Sequence, residues 1–203
     1  MASQIAHIVY AKKYLEKYSQ EFDEKEFIVG CLFPDIRRMD ARISRRETHL
    51  CFYPLDLSFE KLNSFQAGWK FHLYCDMRRE EILNNYHFYS IKNTDAFYNQ
   101  SAKMLEDEVV YDCYDNWQGL SEYFNFMPML STGIDIQKET FESWYSIVAE
   151  YIKEKPSSKS IENFLSKQPT LASESKELVV FVDKLRKNGK VIELLKKVKE
   201  EII

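Results

Sequence analysis

The chain has 203 residues, 45% of them hydrophobic and 15% aromatic, with only five glycines and five prolines. This is enough for one compact domain with its own core, and it excludes a disordered or low-complexity chain. The formal net charge of -4 argues against duplex nucleic acid as the main partner, because DNA and RNA phosphates select basic surfaces.

The apolar residues recur mostly at helical spacing, and strand-like alternation is scarce, so the sequence predicts an all-α protein. In chain order we expect a helix capped by Ser3 and running to about Tyr18, a short apolar helix over 27–35 ended by Pro34, an irregular stretch over 36–58, a central helix over 64–83, and a helix from the cap Asn93-Thr94 to about Tyr114. A loop with a short helix follows over 116–133, and then helices over 135–154, 161–167, 173–187 and from 190 to the C-terminus.

The segment KPSSKS at 155–160 contains a proline among serines and interrupts the helical pattern. We therefore divide the chain into a main helical bundle, residues 1–154, and a lysine-rich C-terminal helical extension, residues 155–203, packed on the same domain. The main bundle contains every candidate ligand described below.

The first 18 residues do not show a basic segment followed by an apolar one, and no apolar run approaches the length of a membrane span. These features predict a cytoplasmic protein whose cysteines stay reduced. The spacings between the four cysteines contain no CxxC pair, so we expect core residues rather than a cysteine-based zinc site: Cys31, Cys51, Cys75 and Cys113.

The central helix contains GWKFHLYCD, which places His72 and Asp76 four residues apart on one face with apolar neighbours. Taking an aspartate out of water costs several kcal/mol unless it is paired or bound to a metal. The pair is therefore either two ligands of a metal ion or a buried polar pair in which Arg79, on the next turn, neutralises Asp76.

Three more residues are candidate ligands by position. His7 lies on the inward face of the first helix, Asp35 follows Pro34 at the end of an apolar run, and His49 closes the segment RRETHL. Each has a structural alternative: His7 as a core histidine, Asp35 as a loop or cap residue, and His49 as an ordinary loop histidine.

The helix from 94 adds an acidic edge. Glu108 and Asp112 have i, i+4 spacing and flank the apolar stripe of this helix. By the same helical spacing, Glu106 and Asp107 point in other directions. Glu108 and Asp112 are candidate metal ligands, and the alternative is a solvated acidic edge.

In order, the pieces are His7, GCLFPD with Asp35, TH with His49, and GWKFHLYCD with His72 and Asp76. This series resembles the zinc-dependent phospholipase C family, which is related to the single-strand-specific fungal nucleases. That family has an early helix histidine, a G-x-x-x-PD loop, a T/S-H, and a G-W/Y-x-x-H-x-x-x-D helix. The resemblance covers residues 5–80.

The resemblance implies an all-α, phospholipase C/nuclease-like bundle around a central site of two or three zinc ions. Asp35, His49 and His72 would hold one ion, and Asp76 would bridge it to a second ion that His7 helps to bind. Imidazole and carboxylate ligands suit zinc, and a carboxylate-rich site also suits iron, manganese or magnesium.

Two features of the family pattern are missing. No tryptophan precedes Trp69, whereas the secreted relatives use an N-terminal tryptophan as a ligand, and no HxxxE pair exists to hold a third ion. Glu108 and Asp112 have the spacing to replace that pair, and His87 is the only histidine after Asp76.

Five arginines occur within ten residues between two proposed ligands, in an otherwise acidic protein. The alternatives are a solvated loop and a set of guanidinium groups that bind substrate phosphate oxygens. We single out Arg37, Arg38, Arg45 and Arg46 as the substrate-binding candidates.

These features predict a metal-dependent phosphoric ester hydrolase acting through a metal-bound hydroxide on a phosphodiester or phosphomonoester, such as a small phosphate ester or a phospholipid headgroup. Asp35 is the candidate to orient or deprotonate the attacking water. The alternatives are a helical binding module with a structural or degenerate metal site, and an HD-type phosphohydrolase, although no HD dipeptide occurs in the chain.

Overall fold

The structure is a computed structural model that describes residues 3–18, 22–91, 96–125 and 132–203, with the backbone alone at 96–98. Within these residues the chain forms α-helices joined by short 3-10 turns and loops, and no strand, which confirms the all-α prediction. The helices are α1 (Gln4–Tyr18), α2 (Glu24–Leu32), α3 (Arg45–His49), α4 (Ser64–Asn85), α5 (Ala96–Val110), α6 (Trp117–Ser121), α7 (Lys138–Tyr151), α8 (Ser158–Ser166), α9 (Ser175–Arg186) and α10 (Gly189–Glu201).

The predicted bounds are closest for α1 and α4. The start expected for α5 at Asn93-Thr94 lies outside the described residues, and its end comes earlier than Tyr114, at a 3-10 turn over Tyr111–Cys113. The stretch 36–58 was predicted to be irregular, yet it contains α3, which begins with a capping box between Ser44 and Glu47.

Two glycines allow α2 and α4 to pack with their backbones in contact. A Cβ atom at Gly30 would lie 1.9 Å from the carbonyl oxygen of Phe65, and one at Gly68 would lie 1.9 Å from that of Phe27. No other residue fits at either position without displacing a helix. This contact fixes the register between the end of α2 and the middle of α4, the two segments that supply most of the candidate site.

The C-terminal helices complete the core around α5. Helices α9 and α10 pack against α5, α10 also contacts α4, and α8 joins α7 to α9. With α1 on a further side, α5 is enclosed by its neighbours, and every residue from Ser101 to Asp107 is buried.

The four cysteines are free thiols, but only two are core residues as predicted. Cys31 and Cys75 are buried, whereas Cys51 and Cys113 are exposed because they lie in a loop and a 3-10 turn at the surface. Across the described helices, none combines the length and apolar character that a bilayer span requires.

Candidate metal centre

Four separate segments bring five predicted ligands to one place. His7 lies on α1, Asp35 on the 3-10 turn after α2, His49 at the end of α3, and His72 and Asp76 on α4. All five are buried. They form two overlapping groups, His7–His72–Asp76 and Asp35–His49–His72, and within each group the potential ligand atoms lie within 4.8 Å of one another.

His72 is held at the junction of α2 and α4. Its Nδ1 lies 2.7 Å from the carbonyl oxygen of Cys31, which is an acceptor, so Nδ1 carries the proton and Nε2 carries the lone pair. A backbone carbonyl that fixes the tautomer in this way is typical of metal-binding histidines. The close contact of α2 and α4 at Gly68 is what brings this carbonyl within reach.

His49 is oriented in a similar way. Its Nδ1 lies 2.8 Å from the hydroxyl of Thr48, which also lies 3.5 Å from the carbonyl oxygen of Ser44. In the tautomer in which that hydroxyl donates to the carbonyl, it accepts from Nδ1, and Nε2 of His49 keeps its lone pair. Trp69 Nε1 donates to the carbonyl oxygen of Thr48 at 2.7 Å and so ties α3 to α4.

His7 stacks on His72, with ring centroids 3.8 Å apart and an angle of 17° between the planes. Among the described residues, neither ring nitrogen of His7 has a hydrogen-bond partner, although the side chain is fully buried. The Nε2 atoms of His49 and His72 are buried and lack a partner in the same way. Three buried ring nitrogens without partners are costly unless a ligand occupies the space between them.

The three Nε2 atoms surround the carboxylate of Asp76. Oδ1 is 3.4 Å from His7 Nε2, and Oδ2 is 3.5 Å from His72 Nε2 and 3.9 Å from His49 Nε2. These separations exceed a normal N–H···O hydrogen bond. Ligand atoms around a tetrahedral zinc ion lie about 3.3 Å apart, given metal–ligand bonds of about 2.0–2.1 Å, so the residues present fit a shared cation.

His7 and His49 are neutral at physiological pH, which is the form that binds metal. Burial and the neighbouring His72 lower the pKa of His7 to about 4, and the same two effects lower the pKa of His49 to about 3. Burial alone would raise the pKa of Asp76, but its electrostatic surroundings, including His72, lower that pKa well below the usual range. An ionised carboxylate therefore faces the neutral imidazoles of His7 and His49.

Asp35 is supported on both oxygens. Gln4 Nε2 donates to Oδ2 at 2.9 Å, and Arg38 Nε donates to Oδ1 at 3.2 Å. Burial acts to raise the pKa of Asp35, but Arg38, the neighbouring histidines and Arg37 together outweigh it and lower that pKa well below the usual range. Asp35 is thus a fixed, ionised carboxylate, and it is a weak proton acceptor.

The structure corrects the prediction for Glu108 and Asp112. Glu108 forms an ion pair with Arg186 of α9, with Oε2 2.8 Å from Nη2, and Asp112 pairs with Lys155 at the exposed surface. His87 is exposed beyond the end of α4. None of the three joins the cluster, because α9 packs on the side of α5 that carries Glu108.

The two buried acids of α5 are Glu106 and Asp107, which helical spacing had predicted to lie on other faces than Glu108 and Asp112. Glu106 accepts from Arg79 Nε at 2.5 Å and from the Tyr10 hydroxyl at 2.6 Å. Arg79 therefore pairs with Glu106, which corrects the alternative that it neutralises Asp76. Asp107 accepts from the backbone N–H of Ala6 at 2.8 Å and thereby caps α1.

The arginine candidates separate into different environments. Arg38 is buried against Asp35 and so supports a candidate ligand, and its contact with substrate stays a prediction. Arg37 is half-buried, and Arg46 is exposed on α3 outside the pocket described next. Arg45 lines that pocket.

A pocket of about 470 Å³ opens onto the cluster beside His49 and Asp76. Its remaining lining combines aliphatic and polar side chains: Arg45, Leu50, Leu55, Leu73, Met77, Glu80, Asn99 and Lys103. Sequence reasoning missed Lys103, because a lysine in a run of mixed charge is normally solvated. Its side chain is buried because α5 is enclosed by neighbouring helices.

Comparisons with family models, with curated proteins and with solved structures found no match to this chain.

Proposed function

We propose that the chain is a metal-dependent phosphoric ester hydrolase with a phospholipase C-like set of ligands. The observation that carries this proposal is the group of three buried Nε2 atoms, of His7, His49 and His72, which have no hydrogen-bond partner among the described residues and surround one carboxylate. Such an arrangement is costly in a metal-free protein and is accounted for by bound cations.

The two overlapping groups support a pair of ions. Asp35, His49 and His72 would hold one, and Asp76 would bridge to a second near His7, since Oδ1 faces His7 and Oδ2 faces the other two rings. The mixture of imidazole and carboxylate favours zinc, with iron or manganese as the next candidates.

When bound, two divalent ions supply Lewis acidity toward a phosphoryl group and lower the pKa of a water molecule. The protein supplies the positions of the groups. Asp35 is held by Gln4 and Arg38, and its low pKa suits a role in binding and orientation rather than in deprotonating water. The pocket beside Asp76 gives a substrate access to this edge of the centre.

The arrangement within the bundle also supports the resemblance. The glycines of the GCLFPD and GWKFHLYCD segments make the α2–α4 contact, Trp69 ties α3 to α4, and the histidines and aspartates of the same segments converge. Each part of the pattern has a physical role in assembling one site.

Elemental analysis of the purified protein, together with turnover of a chromogenic phosphodiester and phosphomonoester, tests the proposal. We expect one to two equivalents of a transition metal and turnover that is lost in His72→Ala and Asp76→Asn. His87→Ala is the matched control, since this histidine is exposed and outside the cluster, and it should keep both properties. Metal that is bound without turnover of either ester would support a binding module with a structural metal site instead.

A further inference from the structure

Lys103 is a buried lysine with little to compensate its charge. It is 4% exposed, and among the described residues its one hydrogen bond runs from Nζ to Gln100 Oε1 at 3.3 Å. A lysine is rarely buried unless it is paired, because taking an ammonium group out of water costs several kcal/mol. Burial also lowers the pKa of Lys103 to about 7, so desolvation is not offset by the neighbouring acids.

The position of Lys103 is as informative as its burial. It lines the same pocket as Asp76 and His49, the two cluster residues that face the opening, and Arg45 lines the pocket as well. Glu80, the other acid in the lining, accepts from the Tyr89 hydroxyl at 2.8 Å. A buried lysine that lines an open pocket beside a candidate metal centre is placed to meet an anionic ligand.

We infer that Lys103 and Arg45 form an anion subsite that binds the phosphate oxygens of a dianionic phosphate group seated at the metal centre. This inference rests on the proposed function and narrows its substrate class to phosphate monoesters. Two divalent ions balanced by two carboxylates already leave an excess positive charge, and two further cations favour a dianion over the single charge of a diester. The aliphatic lining from Leu55, Leu73 and Met77 would contact the organic part of the ester.

Calorimetric titration of the metal-loaded protein at pH 7, near the pKa of Lys103, with inorganic phosphate, and separately with dimethyl phosphate, tests the subsite. We expect inorganic phosphate to bind more tightly than the monoanionic dimethyl ester, and Lys103→Met to weaken phosphate binding about tenfold or more, as the loss of one charge-assisted hydrogen bond predicts. Metal content should be unchanged. If Lys103→Met does not fold, Lys103→Gln should show the same loss.

The matched controls are on α3. Arg45→Met should weaken phosphate binding, whereas Arg46→Met, one residue away and outside the pocket, should not. Phosphate affinity that is independent of Lys103, no phosphate binding by the unmodified protein, or equal affinity for the two ligands would each overturn the subsite.

These outcomes separate the subsite from the proposed function. If the protein holds metal and turns over an ester while Lys103→Met binds phosphate normally, the hydrolase stands and the subsite is wrong. If the protein holds no metal, but its phosphate binding still depends on Lys103, the subsite stands and the hydrolase is wrong.

Discussion

Two buried polar clusters share helix α4, and they differ in how their polar atoms are satisfied. Next to α5, all four carboxylate oxygens of Glu106 and Asp107 accept a hydrogen bond, from Arg79, Tyr10, Tyr151 and the backbone of Ala6. In the second cluster, to which α4 contributes His72 and Asp76, the Nε2 atoms of three histidines have no such partner among the described residues.

The difference separates a structural network from a ligand site. The first cluster ties α1, α4, α5 and α7 together with every carboxylate oxygen paired, and Arg79 Nη2 is its one buried side-chain atom without a hydrogen-bond partner among the described residues. Three converging ring nitrogens without partners instead point to a ligand bound between them. Removing a partner in the first cluster should therefore cost stability, and removing one in the second should cost ligand binding.

The largest expected effect is on the satisfied network. Glu106→Ala leaves Arg79 buried without its partner, and we expect a loss of about 3–5 kcal/mol in the free energy of unfolding, measured by urea denaturation. Glu108→Ala is the matched control, because its ion pair with Arg186 is partly exposed and is worth about 1 kcal/mol or less. Equal losses for the two variants would contradict the division drawn here.

The metal should stabilise the protein through the second cluster alone. At a free metal concentration about 100 times the Kd, binding adds about 2.7 kcal/mol, so a chelator should lower Tm and added zinc should restore it. In Asp76→Asn the response to zinc should disappear, while Glu108→Ala should respond as the unmodified protein does. A Tm that is insensitive to both chelator and zinc would remove the metal from the second cluster.

The α2–α4 contact is expected to serve the site more than the network. Gly68→Ala forces a methyl group against the carbonyl of Phe27 and should cost about 1–3 kcal/mol of stability while weakening metal binding. Gly189→Ala is the control, since nothing lies within 4 Å of its added methyl group, and it should be neutral or slightly stabilising. Unchanged metal affinity in Gly68→Ala would show that the helix register is not critical.

A pH dependence of the metal-free protein is a separate test of the second cluster. The pKa values of His7 and His49 are lowered to about 4 and about 3, so the unfolded state binds more protons below pH 6.5. Stability should fall as pH drops from 6.5 to 4, by about 1.4 kcal/mol per pH unit for each histidine. Asp107 acts in the opposite direction, because burial raises its pKa to about 7, so the comparison is made against His49→Ala. An identical slope in that variant would exclude His49 as a source.

The sequence alone predicted much of the site, because its strongest signals are local. The i, i+4 spacing of His72 and Asp76 guarantees a shared face once α4 forms, and the two glycines mark where that helix meets α2. The resemblance then grouped His7, Asp35 and His49 with them, and the structure brings all five together.

The tertiary structure decided which charges of α5 are buried. Helical periodicity determines which side chains share a face, but neighbours that are distant in sequence determine whether that face is covered, and α5 is enclosed by α1, α9 and α10. For that reason Lys103, Glu106 and Asp107 lie inside the protein, while Glu108, the acid favoured by the local count, pairs with Arg186, 78 residues further along the chain.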